Sequence, residues 1–343
     1  MSTERVIGPT AGPQDEGANW ALRPASISEY IGQSELIERV SIAIKAARQR
    51  KDPLEHVLLH GPPGLGKTTL AHVLAQEMGT KLHVTSGPAL AKGTDLVSCL
   101  TRLQACELLF IDEIHRLPVA VEEFIYPAME DFRVDVTIDS GLSARTVQIK
   151  CKPFTLVGAT TRAGLISAPL RSRFGIIHHL RYYTHAELVA ILVRSAGLLG
   201  LGSPPREAID AIASRSRGTP RIANRLLRRV RDFSQVRAAG ELSAKVVADA
   251  LRLEGVDALG LDELDRAFMR IIATTYRCGP VGLEAIAATM NEDSGTLEDV
   301  VEPFLLQIGF LARTRRGRSL TPEACKHLEL PWQAPAESAS LFG

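Results

Sequence analysis

The stretch Gly61-Pro62-Pro63-Gly64-Leu65-Gly66-Lys67-Thr68 decides the fold, because it lies between the apolar run Val57-Leu58-Leu59 and a helical-looking segment from Thr69 to Met78. Glycine at 61, 64 and 66 lets the backbone turn tightly and approach an anion with no Cβ in the way. The amides of Gly64, Leu65, Gly66, Lys67 and Thr68 then open a helix N-terminus, a natural cradle for polyphosphate. The pattern is the phosphate loop G-x-x-x-x-G-K-[ST], and its strand-to-helix setting separates it from a chance match. Lys67 brings a mobile positive charge to the β and γ phosphates, the Thr68 hydroxyl a ligand for Mg²⁺, and Thr69 a contact on the α-phosphate side. The plainer alternative is a glycine-rich turn with a surface lysine.

Downstream, Leu108-Leu109-Phe110-Ile111-Asp112-Glu113 reads as a buried parallel strand ending in two carboxylates, the end of an open α/β sheet where ligands bind. Asp112 is placed to hold Mg²⁺ through its water shell. Glu113 is the better candidate for orienting or deprotonating the attacking water, since one acid cannot serve both roles. An acidic pair capping a strand is commonly structural; beside a phosphate loop it points to hydrolysis, with ATP and Mg²⁺ as cofactors.

The whole chain bounds the rest. Its 343 residues, 45 % hydrophobic, suggest two or three domains with substantial cores. No run approaches the roughly eighteen apolar residues of a membrane span, and the opening residues mix Glu4, Arg5, Asp15 and Glu16, so neither membrane insertion nor secretion is expected and the location reads as cytoplasmic. Five cysteines, at 99, 106, 151, 278 and 325, form no C-x-x-C pair and favour reduced thiols over disulfides or zinc. A net charge of +1 conceals a run of Arg215, Arg217, Arg221, Arg225, Arg228, Arg229, Arg231 and Arg237 against Asp232 alone, and a second cluster of Arg313, Arg315, Arg316 and Arg318. A single cluster is usually a solvated face, but two in a nucleotide hydrolase suggest a polyanionic partner, nucleic acid first.

Along the chain, His83-Val84-Thr85, Leu108 to Asp112 and Phe154 to Thr160 alternate with helical stretches in the rhythm of a parallel sheet. Arg133 to Ile138 and Arg145 to Ile149 alternate with period two around Asp139-Ser140-Gly141, a β-hairpin inserted between sheet strands. Thr184-x-x-Glu187 is a capping box, a second helix follows Ser203-Pro204, and Thr219-Pro220 opens a third with Ile222, Leu226, Val230 and Phe233 as its apolar stripe and the arginines on the remaining faces. Ser243 to Leu253 completes an all-α domain ending near Gly255. From Leu261 the order is helix, a Gly279-Pro280 break, a helix Leu283 to Met290, a turn, a helix Thr296 to Ile308 and two strands, Phe310 to Thr314 and Arg318 to Thr321, with Arg315-Arg316-Gly317 at the tip. That is a winged-helix outline. Its groove-reading position carries Glu298, Asp299 and Glu302, which disfavours base readout and leaves the wing arginines to meet phosphates. The alternative use is protein contact.

These stretches together resemble the RuvB family, bacterial AAA+ motors that drive branch migration of Holliday junctions. The resemblance runs from about residue 20 to 330 and is carried by Leu22-Arg23-Pro24 with Tyr30-Ile31-Gly32-Gln33, the phosphate loop, Phe110 to Leu117, Gly158-Ala159-Thr160-Thr161-Arg162-Ala163-Gly164, Pro169-Leu170-Arg171-Ser172-Arg173-Phe174-Gly175, Gly218 to Arg225 and Gly279 to Leu283. It implies an α/β P-loop AAA+ domain, a parallel sheet flanked by helices, over 1–184; an all-α lid over 185–255; and a C-terminal winged-helix domain over 256–343. Residues 1–20 and 331–343 are expected to be mobile. It further implies that Leu22, Arg23 and Tyr183 line the adenine and ribose pocket and that Glu130, Asp131 and Phe132 approach the nucleotide. Thr161, with Thr160 beside it, matches a γ-phosphate sensor, Arg173 an arginine finger given to a neighbouring subunit, and Arg221 a second sensor. For Arg173 a salt bridge to a local carboxylate is the alternative.

The resemblance also implies a homo-hexamer and docking of hairpin 133–149 on a RuvA-type junction-binding protein through exposed apolar residues. It implies a RuvC-type resolvase as a further partner, Arg313 and Arg318 at the DNA backbone, and a role in recombination, DNA repair and the SOS response. Cys151-Lys152 and Ala91-Lys92 depart from the family pattern without touching the nucleotide motifs. A competing class is a loader or initiator switch on the same pocket, or a DNA-bound scaffold that hydrolyses little.

Overall fold

In the computed structural model, residues 20–138 and 145–332 are described, and they divide into two compact units, Trp20–Ile191 and the chain from Leu192 on. The tails read as mobile fall, apart from Trp20, Pro331 and Trp332, outside the described residues, as does the hairpin tip around Asp139-Ser140-Gly141. Among the described residues no helix is long and apolar enough to cross a membrane.

The first unit is built on five parallel strands: β1 (Val57–His60), β2 (Leu82–Ser86), β3 (Leu108–Asp112), β6 (Thr155–Thr160) and β7 (Ile176–His179), in the order β2-β3-β6-β1-β7. The central strands are mainly apolar because both faces are covered; β6 is buried at every position. Helix α1 (Ser34–Arg50) precedes β1, and α2 (Lys67–Met78), α3 (Gly93–Arg102), α4 (Val119–Asp131) and the short α5 (Ala168–Arg171) lie in the connections between strands. Leu109, Ile111, Ile114, Val121, Ile125, Phe154 and Leu156 lie in one core cluster between sheet and helices. The register sets Leu59 beside Ala159, His60 beside Thr160 and His179, and Ile111 beside Gly158, so β1, β3 and β6 end within about a residue of one another.

The hairpin forms as β4 (Arg133–Ile138) against β5 (Arg145–Lys150), antiparallel, with Val134 opposite Ile149 and Val136 opposite Val147. Its apolar residues are less free than the sequence suggested. Val134 is fully buried and Val136 packs on the core cluster, which leaves Val147, 42 % exposed, as the open large apolar side chain among those described.

The chain passes from the first unit into the second within α6 (His185–Leu198), and α7 (Arg206–Ser214), α8 (Pro220–Arg237) and α9 (Ala244–Leu253) follow. The arginines of this run do not all lie on a solvated face: Arg225 and Arg228 are buried beside Leu226, Leu227 and Val230, and Arg217 just before the helix is buried as well, whereas Arg237 is exposed. The helix is enclosed on more than its apolar stripe, so these three arginines are withdrawn from a polyanion. Arg217 pairs with buried Asp265, donates from Nε to the Gly260 carbonyl at 2.7 Å, and lies 4.6 Å over Phe304.

The winged helix consists of α10 (Glu263–Thr274), α11 (Leu283–Met290), α12 (α turns Ser294–Thr296 and Glu302–Gln307 flanking a π turn Leu297–Val301), β8 (Leu311–Thr314), β9 (Gly317–Leu320) and α13 (Pro322–His327). The expected helix is therefore interrupted, and Pro303 supplies the reason. With no N–H it cannot bond the Asp299 carbonyl, and the Glu302 amide donates five residues back to Leu297 instead. The wing turn is Arg315-Arg316 alone, since Gly317 already pairs with Thr314. Gly317, at φ +137°, is needed there: a Cβ would collide with the Val281 carbonyl.

Candidate functional site

The phosphate loop leaves β1 with Gly61, Gly64 and Gly66 all at positive φ, the backbone in which neighbouring amides can face one anion. Close approach explains Gly61 further, because a Cβ there would lie 2.7 Å from the Leu180 carbonyl. The Gly61 amide donates to the Thr160 carbonyl at 3.2 Å, tying the loop to β6. Lys67, only 7 % exposed, folds back so that Nζ donates to the Gly61 and Pro62 carbonyls at 2.8 and 3.0 Å. Thr68 and Thr69 follow in the first turn of α2, where the helix dipole favours negative charge. This donor set, with no carboxylate in the loop, fits a polyphosphate. Among the described residues no group of three or more His, Cys, Asp or Glu could hold a metal. A divalent cation here would take few protein oxygens and the rest from phosphate and water, the mode suited to Mg²⁺, with Thr68 and Asp112 the available oxygens.

At the end of β3 the chain turns sharply. Glu113 sits at φ +47°, and its amide donates to Asp112 Oδ1 at 3.0 Å. Its carboxylate accepts from the Thr161 amide and hydroxyl at 3.4 and 3.2 Å and lies 3.2 Å from His115 Nδ1. The buried Thr160 hydroxyl lies 2.9 Å from the same His115 nitrogen and accepts from the Arg162 amide at 2.9 Å. The two threonines thus divide their work: Thr161 touches Glu113 directly, and Thr160 reaches it through His115. His115 was not among the sequence candidates, although it lies in the quoted Phe110 to Leu117 stretch; nothing local marks it as a partner of Thr160, forty-five residues away.

Above the loop, Leu22 is buried at 3 % exposure and Arg23 lies over the Trp20 ring at 4.7 Å. The Tyr183 hydroxyl donates to the Leu65 carbonyl at 3.3 Å and lies 3.3 Å from the Tyr30 hydroxyl. Burial first, then the pair's own proximity, raises Tyr30; burial also raises Tyr183, so both phenols keep their protons. Gly32 lets Tyr183 in, since a Cβ there would meet the ring at 2.7 Å. Buried Gln33 ties this segment to the backbone of Arg181 with two bonds, 2.7 and 3.3 Å. Tyr30 is a second residue the sequence reading did not assign. His60, stacked on His179 with centroids 4.9 Å apart, is pushed down by burial and then by His179, and stays neutral beside the loop at neutral pH.

Glu130, Asp131 and Phe132 each have a near neighbour. Glu130 Oε1 lies 3.2 Å from Arg173 Nε, Asp131 pairs with Arg133 at 3.2 Å, and Phe132 packs on Phe154 with centroids 6.0 Å apart. Arg173 also donates from Nη1 to the Pro169 carbonyl at 2.7 Å. Of the three, Glu130 is the one beside Arg173. Arg221 occupies the first turn of α8, next to Pro220.

In the wing, Arg313 and Arg318 meet the carboxylates that disfavoured base readout. Arg318 Nε lies 2.5 Å from Glu302 Oε1 with Nη2 3.2 Å from Oε2, and Glu302 is 1 % exposed. Arg313, half exposed, lies 2.8 Å from Glu298. Arg315 and Arg316 stand exposed at the tip.

Comparison with known proteins covers the same chain. The family model "Holliday junction DNA helicase RuvB P-loop domain" matches residues 22–180, the "RuvB AAA lid domain" residues 183–257, and the "RuvB C-terminal winged helix domain" residues 258–329. The solved structure of the Thermotoga maritima RuvB Holliday junction branch migration motor is 50 % identical, with a TM-score of 0.84, over 91 % of this chain and 100 % of that one. Two mutants of the Thermotoga maritima protein are also 50 % identical, with TM-scores of 0.83, each over 90 % of this chain and 98 % of theirs.

Proposed function

The chain belongs to the RuvB family of Holliday junction DNA helicases, and from that premise we propose how its residues turn hydrolysis into movement of DNA. As a member it binds nucleotide, hydrolyses ATP and acts on DNA as a branch-migration motor. In our reading the ATPase, lid and DNA-binding domains span 1–184, 185–255 and 256–343. Gly64, Leu65, Gly66, Lys67, Thr68 and Thr69 hold the phosphates, with Leu22, Arg23 and Tyr183 around the base and Arg221 as the second sensor. Thr68 and Asp112 hold Mg²⁺, which when bound supplies charge neutralisation across the β and γ phosphates.

Glu113 orients the attacking water and takes its proton, and Thr161 reports the state of the γ-phosphate to β6. The observation that carries this is the pair of Thr161 bonds to the Glu113 carboxylate, 3.4 and 3.2 Å, which set the base at the shared end of β3 and β6. Arg173 serves the neighbour's site in a homo-hexamer, and Glu130 to Phe132 approach that nucleotide beside it. A finger given in trans makes turnover depend on the ring and contributes a factor of about 10³ to 10⁵. Hairpin 133–149 docks a RuvA-type junction-binding protein, and a RuvC-type resolvase acts on the same junction. In the wing, Arg313 meets phosphate, while Arg318 holds the wing to α12 through Glu302 and adds a largely neutralised charge.

The test is strand exchange on a synthetic four-way junction with ATP, with and without the junction-binding protein. Wild type moves the branch point, and faster with the partner; Glu113→Gln binds ATP and leaves the junction unmoved. Vigorous hydrolysis with no branch movement even beside the partner would refute the motor reading.

A further inference from the structure

Helix α4 presents Glu122, Tyr126 and Glu130 at i, i+4 and i+8, one stripe of its surface, and this stripe meets Arg173. The guanidinium carbon lies 4.4 Å from the Tyr126 ring centroid, within cation–π range. At its edges are the Pro169 carbonyl, 2.7 Å from Nη1, and the Glu130 carboxylate, 3.2 Å from Nε. The second contact is not directed: buried Nε has no acceptor along its N–H, so Glu130 attracts the guanidinium without fixing its plane. Glu130 is also 56 % exposed, so solvent screens the pair.

The ring itself is fixed. The Tyr126 hydroxyl donates to Glu122 at 2.6 Å and lies 3.3 Å from Ser167 Oγ, which bonds the same Glu122 oxygen. Ser167 also accepts from the Leu170 amide at 3.2 Å and caps α5, the turn that carries the Pro169 carbonyl. One network therefore fixes both the platform beneath the guanidinium and the carbonyl at its edge. Burial, with the bond to Glu122 second, raises the Tyr126 phenol, so the hydroxyl remains a donor.

We propose that Tyr126 is a positioning residue for Arg173: its ring, tethered through Glu122 and Ser167, orients the guanidinium before a neighbouring nucleotide site meets it. This rests on the reading of Arg173 as a finger given in trans. A finger oriented beforehand contributes to the transition state and little to ground-state binding, so its disorder lowers kcat and spares KM.

The test uses the full chain assembled on duplex DNA, with kcat and KM for ATP measured for wild type, Tyr126→Phe, Tyr126→Met, Arg173→Ala and the Tyr126→Met/Arg173→Ala and Tyr126→Phe/Arg173→Ala double variants, and assembly checked by size. Tyr126→Met, which fills space without a flat face, lowers kcat about 10- to 100-fold with KM little changed. The phenylalanine variant keeps the flat face but loses the tether, so its kcat falls less than that of Tyr126→Met, by about three- to tenfold. Added to Arg173→Ala, the methionine change costs nothing further. A wild-type kcat for Tyr126→Met beside a crippled Arg173→Ala would overturn the proposal and leave the finger reading standing. An active Arg173→Ala would overturn the finger reading itself. Should Tyr126→Met fail to assemble, Tyr126→Phe decides: a lowered kcat with KM spared, absent when Arg173→Ala is already present, supports the tethered platform, and an unchanged kcat would sink it.

Discussion

At the scale of single residues, Glu113 is held firmly at the end of β3. Left-handed backbone turns it off the strand end, and Thr161 and His115 bracket one of its oxygens. Glu113→Gln should keep ATP bound while turnover falls at least about 10²-fold; equilibrium nucleotide binding and phosphate release, measured side by side, check it. Lys67→Ala should lose nucleotide binding altogether. The two wing arginines should part company. Arg318→Ala leaves the buried Glu302 carboxylate without its nearest cation and should destabilise the winged helix by about 3 kcal/mol or more. Arg313→Ala should leave the melting temperature near wild type, weaken DNA binding alike on all sequences, and reduce the salt slope by about one unit. Thermal unfolding and salt-titrated binding separate the two, and equal behaviour of both variants would refute the distinction. The phosphate loop and the β3 carboxylates were legible because their chemistry is local in sequence. The Arg318–Glu302 pair was not: the sequence displays both charges, but only the fold-back of the wing on α12 makes them partners.

At the scale of elements, the N-terminus of α6 is a signal that reads directly. Thr184 and Glu187 bond reciprocally, the Thr184 amide to Glu187 at 2.8 Å and the Glu187 amide back to the threonine hydroxyl at 3.3 Å. Arg181 grips the same carboxylate at 2.6 and 2.9 Å and, ahead of the Thr184 bonds, holds its pKa below the ordinary range. A folded-state value below the unfolded one means the unfolded chain takes up the proton first. The stabilisation is therefore complete above the unfolded value, about 4.3, and is lost as pH falls through the folded one. Glu187→Gln should cost about 1 kcal/mol at neutral pH and flatten the acid limb of melting temperature against pH; an unchanged acid limb would contradict it. Helix α8 was only half legible. Its i, i+4, i+8 stripe predicted burial of Leu226 and Val230, but period alone cannot show that Arg225 and Arg228 are covered too. The hairpin's alternation gave the pairing and left open which face the core would claim.

At the scale of the whole molecule, the βαβ rhythm announced a parallel sheet, whereas the order β2-β3-β6-β1-β7 depends on crossovers that no local pattern encodes. That order is what carries Thr161 to Glu113 across forty-eight residues. If Arg173 serves a neighbour, rings mixed from Arg173→Ala and Lys67→Ala subunits should recover hydrolysis that neither supplies alone, since interfaces form in which an intact pocket faces an intact finger. ATPase activity over a titration of the two variants checks this, and a flat baseline at every ratio would argue against sharing. One junction in the chain gives the assembly a mechanical reading. Helix α4 ends at Asp131, Phe132 turns at φ +52° and anchors on Phe154, and β4 begins at Arg133. The hairpin thus continues from the helix whose stripe lies against Arg173, with Phe132 and Val134 both seated in the core at the join. If a partner clasps that hairpin, it loads the same beam that carries the Tyr126 ring, and traction on one end becomes a torque at the other.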